Sequence, residues 1–199
     1  MFKQILAGLF LATVSLSAHA AEFEEGTHYS VLNREASSSP EVIEFFSYAC
    51  PGCNSFQTYM TRLEEASDTI EVKYMPVGFG RPDFEATQEM FFVMQAYGKV
   101  DELHDDVFRH IHGKNQSIRT KSGARDFLAE NGISEEDYEK AAKSFATQVR
   151  IKRVDQLTRD MRISSTPTVV VNNRYVVNLR GVTSPDQFAR LVKFLATNP

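Results

Sequence analysis

Cys50 and Cys53 frame the dipeptide Pro51-Gly52 and are the chain's two cysteines. A thiol pair at this spacing can cycle between dithiol and a short disulfide. Cys50 follows an apolar run and precedes a helical pattern. Pro51 suits the first helical position, which leaves Cys50 at the N-cap. Unpaired backbone N–H groups and the helix dipole then face its sulfur, and both favour the thiolate. Cys53 falls in the first turn and is the more buried position. Three plainer readings compete. As a structural staple, a loop this short would remove only about 2 kcal/mol of unfolded-state entropy. A tetrahedral metal site would need further ligands, and His104, His110 and His112 have no partner spacing to the cysteines; they read as solvated helix residues. Two inert buried thiols would need no strand–helix junction. Redox chemistry fits the pattern best.

Other residues could complete such a site. Glu44 is a charge inside the apolar run that leads into Cys50. A buried carboxyl is costly without a partner or a task. Here it could relay a proton to or from Cys53, with burial raising its pKa; otherwise it faces solvent or pairs with a lysine. Thr166-Pro167 opens a later strand, where proline is tolerated at the first residue. Its peptide bond could be trans, or cis at small cost. A cis bond would leave the Thr166 backbone open to pair with a substrate strand.

The elements that must position these residues are readable. Glu41 to Ser47 (EVIEFFS) suits a strand buried on both faces. Phe56, Met60 and Leu63 form the stripe of a helix after the cysteines. Ile70 to Val77 reads as a second strand, so the unit is βαβ; Gly78, Gly80 and Pro82 then break regular structure. From about Phe84 to Arg162 there is no proline and no strand-like alternation. Met90, Phe91 and Met94 mark one helix face; Leu103, Val107 and Ile111 a second; Ala124, Phe127 and Leu128 a third, closed by Gly132. Ser134 and Asp137 resemble a capping box, with Ile133 and Tyr138 as its hydrophobic staple. Glu135, Glu136 and Asp137 read as helix-start electrostatics. A long helix follows over Ala146 to Met161. Thr168 to Val171 and Arg174 to Val177 flank Asn172-Asn173, a hairpin with a primed turn. Ser184, Pro185 and Gln187 start a last helix, whose stripe is Phe188, Leu191, Val192 and Leu195. Met75, Met90 and Met94 read as core.

Composition agrees. The chain has 199 residues, 42% hydrophobic and 24% charged, with 15 Phe, enough for a core without disulfide staples. Net charge is −4, and no basic patch suggests nucleic acid. Residues 1–20 read as a secretory signal: Lys3 in the n-region, an apolar stretch from Ile5 to Leu16, and Ala18-His19-Ala20 as cleavage site. The stretch is too short to span a bilayer, so a soluble exported product is expected, in a compartment that permits disulfides.

Glu44 to Cys53 (EFFSYACPGC) resembles the active-site strand and helix start of DsbA-like thiol:disulfide oxidoreductases. Ser165 to Tyr175 (STPTVVVNNRY) resembles their cis-proline loop and following hairpin. The resemblance covers nearly the whole mature chain and implies an α/β thioredoxin fold with an inserted helical domain. The division expected is 1–20 signal, 21–82 first thioredoxin-like part, 83–162 mostly helical insertion and 163–199 second part. It implies that Cys50 is the exposed nucleophile and Cys53 the buried resolving cysteine. Glu44 would be the buried acid beneath them and Pro167 a cis proline facing Cys50. It further implies a periplasmic monomer that needs no cofactor beyond the Cys50–Cys53 disulfide and no metal. Its partners would be exported proteins with free thiols and a DsbB-like membrane quinone reductase. Two departures stand out. Gly52 replaces the histidine of the family's best-known Pro-His dipeptide, which suggests a less depressed Cys50 pKa and a weaker oxidant. Thr166 stands where DsbA itself has valine, and threonine occurs there in isomerase and reductase relatives; against an isomerase, no stretch reads as a separate N-terminal dimerisation domain. The alternatives are a reductase or isomerase, and a non-enzymatic chaperone or peptide-binding module.

Overall fold

The computed structural model describes residues 22–113 and 117–197; the expected signal at 1–20 lies outside the described residues. The chain runs β1 (Tyr29–Val31), β2 (Glu41–Phe46), α1 (Pro51–Ala66), β3 (Glu71–Pro76), α2 (Pro82–Ala96), α3 (Val100–His112), α4 (Lys121–Glu130), α5 (Glu135–Ala142), α6 (Phe145–Asp160), β4 (Thr168–Val171), β5 (Tyr175–Val177) and α7 (Pro185–Thr197). The strands form one mixed sheet in the order β1-β5-β4-β2-β3. β2 runs parallel to β3 and antiparallel to β4, and β5 is antiparallel to β4 and β1. This is a thioredoxin-type α/β arrangement, with five helices inserted between β3 and β4.

β2 pairs on both sides and is buried along most of its length, which is why its sequence is a continuous apolar run. Its alternation feeds two cores. Ile43 and Phe45 pack toward the helical block, with Val170 of β4. Val42, Val169 and Val171 face α1 and α7, where Phe56, Met60, Leu63, Phe188 and Leu191 are buried. The Phe56 and Phe188 rings meet edge to face at 5.1 Å. Each large apolar side chain fully buried here is worth about 1.5–3 kcal/mol.

Local signals hold to different degrees. Gly132 has φ +86° and closes α4 in a Schellman motif: Ile133 N–H donates to Leu128 O (2.8 Å) and Gly132 N–H to Ala129 O (3.3 Å). Ser134 Oγ accepts from Asp137 N–H at 3.1 Å, but the Asp137 carboxylate takes the serine hydroxyl (2.7 Å) instead of its backbone N–H. Ser184 Oγ likewise accepts from Gln187 N–H (3.2 Å), while Gln187 Oε1 reaches one residue further back, to Thr183 N–H (2.7 Å). Each box is thus half of the reciprocal pattern. Asn172 and Asn173 both take positive φ, 48° and 57°, as a primed turn requires. β1 was not anticipated from sequence; it is three residues long and exists through its pairing with β5. Among the described residues, no helix is long and apolar enough to cross a membrane.

Candidate active site

β2 delivers the chain into the cysteine motif. Cys50 is the N-cap of α1, with φ −89° and ψ 116°, and Pro51 takes the first helical position. The capping atom is the sulfur: Sγ accepts from the backbone N–H of Cys53 at 3.4 Å. Pro51 and Gly52 are exposed. Cys50 keeps only 9% of its surface and Cys53 none. Cys50 is therefore the more accessible of the two, though more covered than the resemblance implied. Both are free thiols.

Across the motif lies the start of β4. The Thr166–Pro167 peptide bond is cis. In its thiol form Cys50 Sγ donates to the Thr166 carbonyl at 3.5 Å. A β-carbon on Gly52 would stand 3.3 Å from Pro167 Cδ and 3.7 Å from Cys50 Sγ. Residues 50, 52, 53, 166 and 167 thus form one cluster, although over a hundred residues separate its two halves.

The two sulfurs differ electrostatically. The Cys53 thiol, hydrogen-bonded to Cys50, is the largest influence pulling the Cys50 pKa down, to about 5. Burial opposes this; the Thr166 side chain and the backbone N–H groups of Cys53 and Gly52 add to it. The Cys53 thiol is pushed far up, first by burial, then by its bond to Cys50 and by the neighbouring negative charges. One sulfur is held ready as thiolate and the other as thiol.

Glu44 is fully buried and pairs across β2–β4 with Val169. It neither faces solvent nor meets a lysine: both carboxyl oxygens lack a hydrogen-bond partner. Burial raises its pKa to about 8, with the charges of Cys50 and Glu64 adding. It is coupled to the cysteines through its field, not through a hydrogen bond.

The histidine reading needs correction. His104 is not solvated; it is 8% exposed. The reason is its register: it lies three, four and seven residues before Val107, Phe108 and Ile111, on the buried stripe of α3. It bonds to Tyr48 Oη at 2.8 Å and Gln57 Oε1 at 3.1 Å. His112 is half-buried and bonds to the Tyr48 carbonyl at 2.7 Å. Sequence reasoning missed this group. The apolar period through His104 was the available signal. Among the described residues, no group of three or more His, Cys, Asp or Glu could hold a metal ion.

A family model, the DSBA-like thioredoxin domain, matches residues 41–193. The chain belongs to that family. Its DSBA-like relatives include the thiol:disulfide interchange protein DsbA of Dickeya dadantii, 31% identical over 201 residues, covering 96% of this chain and 95% of the relative. The same-named protein of Escherichia coli O6:H1 is 30% identical over 208 residues, with the same coverage. In structure, a variant of Pseudomonas aeruginosa DsbA superposes with a TM-score of 0.80 at 24% identity, over 88% of this chain and 97% of that one. A serine variant of Proteus mirabilis DsbA, in complex with the non-covalently bound peptide PWATCDS, gives 0.74 at 25% identity, over 89% and 100%. As a DSBA-like protein, this chain is a thiol:disulfide oxidoreductase whose family works through a redox-active disulfide.

Proposed function

We propose that the protein is an exported disulfide oxidase that works in the periplasm and donates a Cys50–Cys53 disulfide to newly exported proteins. Residues 1–20 would be removed as the signal. Residues 21–82 and 163–199 would form the thioredoxin-like unit and 83–162 its helical insertion. A substrate thiolate attacks Cys50 Sγ in the disulfide. The Cys50–Cys53 bond breaks and Cys53 leaves as a thiolate, which takes up a proton. A second substrate thiolate attacks the substrate sulfur of the mixed disulfide and expels Cys50 as a thiolate. The substrate is oxidised by two electrons and this protein is reduced to the dithiol. Glu44, with a pKa raised by burial to about 8, is suited to supply and recover the proton at Cys53. Pro51 sets the helix start; Gly52, Thr166 and Pro167 wall the sulfur.

The observation that carries this reading is the unequal pair: Cys50 Sγ caps the start of α1 and accepts the Cys53 N–H at 3.4 Å, while Cys53 is fully buried, so the first thiol is drawn down, to about 5, and the second is pushed up and held as thiol. Stabilising the reduced thiolate is what makes a dithiol pair a good oxidant. The cysteine-bearing peptide on the Proteus mirabilis relative supports a polypeptide substrate. A DsbB-like membrane quinone reductase would restore the disulfide, and the protein would act as a monomer. Gly52 and Thr166 favour a second reading, a reductase or isomerase. The glutathione redox equilibrium of the mature protein separates them. A potential well above thioredoxin's value of about −270 mV, toward about −120 mV, is expected. A value near the thioredoxin end overturns the oxidase. Full biological function after Cys50→Ser would instead favour a non-enzymatic chaperone.

A further inference from the structure

The exchange steps above make no use of His104, yet its hydrogen bonds have a fixed direction. Gln57 Oε1 can only accept, so His104 donates to it from Nε2 at 3.1 Å. Nδ1 then accepts from the Tyr48 hydroxyl at 2.8 Å. The amide nitrogen of Gln57 donates to the Cys53 carbonyl at 3.3 Å. The chain therefore runs from Tyr48 through His104 and Gln57 to the first turn of α1. A second tie joins it, because His112 Nε2 donates to the Tyr48 carbonyl at 2.7 Å. Tyr48, two residues before Cys50, is held at its side chain and its backbone by α3, a helix of the inserted block. The rings of Phe46, Tyr74 and Phe108 lie 5.5, 4.6 and 5.3 Å from the His104 ring. Burial among them lowers the His104 pKa to about 4, and this directional chain requires the neutral ring.

We propose that His104 and His112 are positioning residues: through Tyr48 and Gln57, α3 clamps both sides of the cysteine motif and fixes the Cys50 sulfur against the Cys53 N–H. This rests on Cys50 being the exchanging thiol. In the disulfide form, the S–S bond itself tethers residue 50 to the first turn of α1. In the dithiol form the backbone tie from Asn54 N–H to the Cys50 carbonyl (3.2 Å) remains, but the sulfur itself is held only by non-covalent contacts, to the Cys53 N–H at 3.4 Å and to the Thr166 carbonyl at 3.5 Å, within the surrounding clamp. The clamp therefore stabilises the reduced form more than the oxidised one and makes the protein more oxidising.

Three variants test this. Tyr48→Phe removes the hydroxyl and keeps the ring. His104→Leu removes both ring bonds. His104→Gln keeps one donor and one acceptor. The readouts are Cys50 thiolate absorbance against pH, the glutathione equilibrium constant, and thermal melts of both redox forms. Tyr48→Phe and His104→Leu should each shift the glutathione constant by about three- to tenfold toward the less oxidising side, on the scale of one buried hydrogen bond. Both should raise the Cys50 pKa. His104→Gln should recover most of the loss, and the double variant should match the larger single change. Equal melting losses in both redox forms, with thiolate titration and glutathione constant unchanged, would overturn the clamp. If His104→Leu does not fold, Tyr48→Phe and His104→Gln decide by the same criterion. A wild-type protein inert toward glutathione would instead sink the redox reading, and the thiolate titration would still judge the clamp.

Discussion

Gly52 faces the Cys50 sulfur so closely that a β-carbon there would stand 3.7 Å from Sγ. Any side chain at this position therefore adjoins the thiolate, and glycine leaves it without a cation. Gly52→His should lower the Cys50 pKa and make the protein more oxidising, because an imidazole or imidazolium donor stabilises the thiolate. The β-carbon would also come within 3.3 Å of Pro167 Cδ, so a small loss of stability is expected with it. The glutathione equilibrium checks the first effect; an unchanged constant rejects it.

Cys50 gives the reduced protein a pH signature. Its folded-state pKa lies near 5, below the ordinary thiol value of 9.0. A depressed pKa adds stability that is fully present above the unfolded value and is lost as pH falls through the folded value. The reduced form should therefore gain stability over the oxidised form from about pH 5 to about pH 9 and lose that advantage in more acidic solution. Melting both forms across this range tests the sign. Alkylation of Cys50 should show its midpoint near pH 5.

Glu44 works in the opposite direction. Its folded-state pKa of about 8 lies above the ordinary 4.5. The neutral carboxyl is favoured, so stability is fully present below pH 4.5 and is lost as pH rises through 8. Glu44→Leu removes two unpaired buried oxygens and should stabilise the fold at pH 7 by about 1–3 kcal/mol. It should also flatten this part of the pH dependence and slow protonation and deprotonation of Cys53. Denaturant melts and stopped-flow exchange give the two readouts. A destabilised variant would count against the account of Glu44.

Asn172 ties the hairpin to two other elements. Its side-chain carbonyl accepts from Glu41 N–H at 3.1 Å, and its amide donates to the carbonyls of Ala196 and Leu195 at 2.9 and 3.3 Å. Its φ of 48° is one asparagine tolerates better than most residues. Asn172→Ala should cost about 2–4 kcal/mol, from lost bonds and backbone strain together. Asn173, with a similar φ but its amide on an exposed Glu35 carbonyl, should cost less when replaced by Ala. Equal losses at the two positions would contradict this.

The parts of the fold that the sequence made legible are those specified locally. The apolar run of β2, the stripe of Phe56, Met60 and Leu63, the Schellman glycine Gly132 and the Asn172-Asn173 turn each carry their signal within a few residues. The cysteine motif and its N-cap sulfur were legible for the same reason. What stayed hidden depends on distant partners. Tyr29 to Val31 is a strand because Val177, Val176 and Tyr175 pair with it. Asp137 and Gln187 choose between nearby donors in three dimensions, so their boxes are only half formed. His104 sits among charges in sequence, and composition outweighed the period that places it inward. Glu44 was identifiable as an odd charge in an apolar strand, but its complete burial is set by the helix and strands packed over it.

The hydrogen bond between Cys50 and Thr166 spans 116 positions, and the whole helical block lies between them. A chain emerging from its amino end therefore presents the CxxC turn long before the opposite wall exists. Closing a loop of this length costs about 4 kcal/mol of chain entropy, which the pairing of β4 with β2 must offset. Until β4 docks, the sulfurs have a helix start but no lid, and foreign thiols can approach from the side that Thr166 and Pro167 later occupy. Selective thiol exchange therefore requires the fourth strand to be in place beside the second.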